Sequence, residues 1–169
     1  MTMKVWQVGT ALYLLLLVTG CTVTNEEALE LGYQAFKTGV EKEQQDSNTE
    51  LTMLELYLPR GFEVLEELDY NVQIQSRDQL FLLFHSPTEL PTSNIHLQRD
   101  MEYAGGALLY ELIESNKQLA YLIVSEEEDG RLFVITTIGG AKLSTLTTYK
   151  DLEDNIGAMT EIVHSYRPK

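Results

Sequence analysis

The chain holds one cysteine, Cys21, so no disulfide within a single copy can staple it, and its fold must rest on a packed core. It is poor in positive charge: twelve lysines and arginines face 26 aspartates and glutamates, for a formal net charge of -14. A surface with that balance repels a phosphate backbone, which excludes nucleic acid as a partner. Histidines number only three, His85, His96 and His164. None stands in the spacing of a zinc site or beside a nucleophile-elbow motif, so no hydrolytic triad, metal set or cofactor site is legible and the chain does not read as an enzyme. The longest apolar run, Val5 to Val18, is interrupted by Gln7. As a helix it would reach ~21 Å, short of the ~30 Å hydrocarbon thickness of a bilayer.

That run is flanked by Lys4 on one side and closed by Val18-Thr19-Gly20-Cys21 on the other, the layout of a cleaved leader. Met3 stands as well placed as Met1 to begin it. The last four residues resemble the lipobox of bacterial lipoproteins: Val18 is the aliphatic residue, Thr19 the β-branched one, Gly20 the small one, and Cys21 the acceptor. The resemblance implies cleavage before Cys21, a diacylglyceryl thioether on its sulfur, and residence on the extracytoplasmic face of the cell membrane. Two or more buried acyl chains anchor stably where one does not. Removal of residues 1–20 takes away Lys4 alone among charged groups, leaving about -15 on the mature body. Such a body is expected to stand off anionic headgroups on its tether.

Residues 1–20 are thus a signal peptide, 21–50 a lipidated N-terminus with a helix and linker, and 51–169 a sheet domain with a closing helix. Thr24-Asn25-Glu26-Glu27 has the spacing of a capping box, and Leu29, Tyr33, Phe36 and Val40 repeat on one helical face. Leu51 to Leu58 reads as a strand stopped by Pro59-Arg60-Gly61. Phe62 to Leu68, Val72 to Ile74 and Leu80 to Phe84 form a meander with tight turns between. Four more strands follow at Ala107–Glu114, Gln118–Ser125, Arg131–Ile138 and Ala141–Thr147. Those through Ala120 to Val124 and Leu132 to Ile135 are apolar on both faces, so they belong mid-sheet with cover on each side. Leu152, Ile156, Met159, Val163 and Tyr166 mark a final amphipathic helix.

The expected fold is therefore α+β: a mostly antiparallel sheet of six or seven strands in an α/β/α sandwich, with the N-terminal and C-terminal helices on opposite faces. The element order, the run Leu56-Tyr57-Leu58-Pro59-Arg60-Gly61-Phe62, and the stretch from Ile138-Gly139-Gly140 into the last helix are similar to the PsbP-like fold and to small lipoproteins of Gram-positive bacteria. That resemblance implies topology, not catalytic or metal residues.

Between Ser86 and Gly106 the chain loses its periodicity, so this segment is either a functional loop or holds a short helix near His96 to Tyr103. It carries the candidate ligand residues His96, Arg99, Asp100 and Tyr103. Glu126 to Gly130 is rich in carboxylates but lacks calcium-loop spacing, and the pairs Gly105-Gly106 and Gly139-Gly140 lack that of a phosphate loop. The function expected is a lipid-anchored envelope protein working as an interaction or accessory module for another envelope protein. The alternative is a small-ligand or metal-binding lipoprotein built on the 86–106 segment.

Overall fold

The structure is a computed structural model and describes residues 23–169, apart from the side chain of Tyr103. The expected lipobox residues Val18, Thr19 and Gly20, and the expected lipidation site Cys21, lie outside the described residues.

Helix α1 (Asn25–Glu41) starts where the sequence predicts, with the Thr24 hydroxyl accepting from the Glu27 amide at 3.2 Å. Strands β1 (Thr49–Glu50) and β2 (Leu54–Leu56) follow, then β3 (Phe62–Leu68), β4 (Asn71–Ser76) and β5 (Gln79–His85). Helix α2 (Ile95–Ala104) occupies the middle of the aperiodic segment. Strands β6 (Leu109–Glu114), β7 (Leu119–Glu126), β8 (Leu132–Ile138) and β9 (Ala141–Thr147) then lead through a 3-10 turn at Tyr149–Asp151 into α3 (Leu152–Ser165) and a terminal β10 (Arg167–Pro168).

The fold is α+β around a seven-stranded antiparallel sheet in the order β3-β4-β5-β9-β8-β7-β6. The doubly apolar strands sit inside it, as their composition requires, and Ala120 to Val124 are fully buried. The two edge strands carry Glu63, Glu66 and Glu67 in β3 and Glu111 and Glu114 in β6. Charges there discourage edge-to-edge pairing with another chain.

Two expectations need correction. The Leu51 to Leu58 stretch does not join the main sheet: only Leu54–Leu56 is extended, and it pairs with β1 and β10 in a separate three-stranded sheet. The two long helices do not lie on opposite faces either. They pack side by side, because α1 has small residues where it meets α3: a Cβ on Gly32 would stand 2.7 Å from Ile156 Cδ1, and one on Gly39 2.7 Å from Thr160 Cγ2. Moving along α1 from Gly32 to Gly39 moves along α3 from Leu152 and Ile156 to Thr160, so the helices run parallel and begin at the same end of the sheet. The His164 ring nitrogen Nδ1 meets the Gly39 carbonyl at 3.1 Å near the far end of the pair.

This helix pair and Ala120, Leu122 and Val124 of β7 form the main core. The opposite side chains of β7, Leu119, Tyr121 and Ile123, form a smaller cluster with Ile135, covered by Leu97 and Ala104 of α2. The third layer is thus the short helix α2, and it shields only part of its face. Among the described residues both clusters draw on positions from Ala28 to Tyr166.

Candidate functional site

The aperiodic segment is pinned at its start by the β8–β9 turn. Ser86 donates to the Gly140 carbonyl at 2.8 Å and Leu119 donates to the Pro91 carbonyl at 2.9 Å. Gly139 has φ +53, and a Cβ there would stand 2.5 Å from Pro91 Cα. Only glycine lets the turn and the crossing chain come so close. From this crossing α2 runs over the sheet with His96 and Asp100 facing inward, each almost fully buried.

Asp100 lies between two donors. Tyr121 donates its hydroxyl to one carboxylate oxygen at 2.6 Å, and the Lys142 ammonium stands 3.1 Å from the other. Burial, and after it the neighbouring carboxylate, pushes the Tyr121 phenol far above its usual range, so Tyr121 is a constant donor. His96 places Nε2 3.3 Å from the Gly140 carbonyl and meets Phe84 edge-on. Of the four residues expected to act together, His96 and Asp100 are thus brought under α2, while Arg99 is exposed. Tyr103 belongs to the same helix. These contacts fasten the helix to the sheet and to the β8–β9 turn.

Of the other two histidines one is buried and one half-buried. His85 is fully buried, with Nδ1 3.3 Å from the Tyr166 hydroxyl, and His164 is tied to α1. Burial lowers the pKa of all three rings. In the unfolded chain they take up protons near ~6.5, whereas the folded protein resists until lower pH. Their contribution to stability is therefore complete above ~6.5 and is lost as pH falls through the depressed folded values. The urea midpoint is expected to drop between pH 7 and pH 5, above the range where most carboxylates titrate. A His164→Asn variant should show a shallower slope, and a flat profile in the parent protein would contradict this reading.

Among the described residues no group of three or more His, Cys, Asp or Glu side chains converges as a metal-binding set. No described helix is long and apolar enough to cross a membrane. In the carboxylate-rich β7–β8 turn, Asp129 is occupied locally: it accepts from the Arg131 amide at 3.1 Å and from Arg131 Nε at 2.6 Å. Those two bonds hold its pKa below the usual carboxylate value.

A second location was not legible in the sequence. A groove of about 950 Å³ runs around the end of the sheet where α1 and α3 begin. On the face that α2 leaves open its floor is apolar: Leu80, Leu82 and Leu146 are 51, 43 and 39% exposed, with Phe133 half-buried beside them. Its rim carries Arg60, Arg77 and Arg131, three of the five arginines in the chain (the others are Arg99 and Arg167). Among the described residues Arg60 and Arg77 form no ion pair, and Arg131 pairs only with Asp129 of its own turn. The wall toward α3 is acidic, with Asp151 and Asp154, and Asn155 there donates to Thr147 Oγ1 at 2.6 Å and Gln79 Oε1 at 3.1 Å. The available signal was β5 itself, whose Leu80 and Leu82 alternate with the core residues Phe81 and Leu83, asking for a cover that the described residues do not supply.

No family model and no curated protein matches the chain. Among solved structures it is similar to a crystal structure from Bacteroides thetaiotaomicron VPI-5482, at 11% identity and a TM-score of 0.42, covering 69% of this chain and 45% of that one. The chain spans a little under half the length of that protein.

Proposed function

We propose that this protein is a lipid-anchored module on the extracytoplasmic face of the cell membrane, acting by binding an envelope partner and without catalysis of its own. The observation that carries the reading is the join between leader and body. The lipobox-like Val18-Thr19-Gly20-Cys21 is followed at once by Thr24, which caps the first helix. Two residues, Thr22 and Val23, separate Cys21 from that cap, a span of ~10 Å at full extension. A folded body so close behind a leader suits a permanent tether at its N-terminus.

Binding is favoured over catalysis by how the reactive side chains are used. His85 and His96 are buried and His164 is half-buried, each with a ring nitrogen at a backbone carbonyl or a tyrosine hydroxyl, and each oxygen of the buried Asp100 has a partner, Tyr121 or Lys142. The groove, by contrast, offers open apolar surface and two guanidinium groups, Arg60 and Arg77, that form no ion pair among the described residues, the combination recognition sites use. Fractionation of intact cells tests the reading: the parent protein is expected in the membrane fraction and open to external protease, and Cys21→Ala is expected to leave it. A parent protein found in the cytosol, or a Cys21→Ala variant that partitions unchanged, would refute it.

A further inference from the structure

We infer that the groove at the end of the sheet binds a single-chain anionic amphiphile, a long-chain carboxylate, with its head on the arginine rim and its chain across the leucine floor. This ligand is drawn from the membrane surface, and that part of the inference rests on the anchoring proposed above.

Three observations fix the chemistry. The body carries about -15, yet the lining of the groove is balanced, with Arg60, Arg77 and Arg131 against Asp78, Asp151 and Asp154, so an anion is repelled less here than over the rest of the surface, and Arg77, in the turn that leads into β5, is the cation next to the floor in sequence. The floor beside that rim is apolar and small. Leu80 and Leu82 lie two residues apart on β5, ~7 Å, and Leu146 and Phe133 pair across β9 and β8, so the floor spans three adjacent strands, ~10 Å. One acyl chain covers such an area, and its burial would remove three exposed leucines from water. The acidic wall of Asp151 and Asp154, with Asp78 in the β4–β5 turn, disfavours a bulky or multiply charged head and leaves a singly charged carboxylate as the better fit.

The placement of the groove supplies the source. Parallel packing puts the start of α1 at the same end as the start of α3, whose Asp151, Asp154 and Asn155 line the groove. A chain held at Cys21 by ~10 Å of tether therefore presents its groove end toward the bilayer.

The test is a calorimetric titration of laurate into the mature chain from residue 21, bearing Cys21→Ser so that no attached lipid competes. Saturable 1:1 binding is expected, at least tenfold tighter than for dodecanol, with no binding of acetate. Arg77→Ala and Arg60→Ala, both exposed and outside the core, should weaken laurate at least tenfold together while leaving the urea midpoint unchanged, and Leu82→Asp should abolish it. Absence of saturable laurate binding would overturn the inference, as would equal affinity for laurate and dodecanol or indifference to the arginine pair. The titration reads the groove without the anchor, whereas the state of Cys21 is read by fractionation, so failure of one does not imitate failure of the other.

Discussion

Gly139→Ala is expected to destabilise the protein by about 3 kcal/mol, lowering the melting temperature by roughly 10 °C for a body of this size. Two costs combine. A non-glycine residue held in the left-handed region loses ~1–2 kcal/mol, and Gly139 sits at φ +53. The new Cβ would also meet backbone, at 2.5 Å from Pro91 Cα and 2.7 Å from the Leu90 oxygen, and overpacking of this kind adds ~1–3 kcal/mol. Gly130 isolates the first cost, since its φ is +77 but nothing lies within 4 Å of its Cβ position. Gly130→Ala should therefore cost only about 1 kcal/mol in the same urea titration. Equal losses in the two variants would show that the crossing at Pro91 is not tight.

Asp100→Ala is expected to cost about 3 kcal/mol as well, by a different route. It leaves the Tyr121 hydroxyl fully buried without its acceptor, and the partly buried Lys142 ammonium without its counter-charge. Tyr121→Phe, which removes one donor and leaves the ion pair, should cost nearer 1 kcal/mol. Adding Lys142→Met to Asp100→Ala should return part of the loss, because the stranded charge goes with it. Because Asp100 ties α2 to β7 and β9, amide exchange should accelerate first in Ile95–Ala104. An Asp100→Ala variant within 0.5 kcal/mol of the parent would remove this account of how the third layer is held.

The strands of the main sheet were legible because period-two alternation and turn residues act locally, and β7 and β8 declared their central position by being apolar on both faces. The layer arrangement was less legible for an identifiable reason. Leu29, Tyr33, Phe36 and Val40 mark the apolar stripe of α1, but Ala28, Gly32, Ala35 and Gly39 form a second stripe of small residues at steps of four, three and four. That stripe permits close approach to another helix, and it placed α3 beside α1 and left α2 to cover the far face. The Leu51 to Leu58 misreading has a similar origin, since alternation identifies an extended segment but not the sheet it will join.

For the site, the sequence pointed to His96, Arg99, Asp100 and Tyr103 as a polar cluster; His96 and Asp100 turn inward and Arg99 does not, and Asp100 meets Tyr121 and Lys142, which lie 21 and 42 residues from it along the chain. No local pattern announces such partners. The groove was harder still, because Arg60, Arg77 and Arg131 come from three separate turns that only strand order brings to one rim.

The state of the sulfur at residue 21 in the native product decides where this molecule works, and intact-mass measurement of protein extracted from its own membranes reads it directly. The account predicts a chain beginning at Cys21 with the added mass of a diacylglyceryl group, and an acyl group on the new amine in cells that make that second addition. A free thiol at that position, or a chain that still carries residues 1–20, would contradict it.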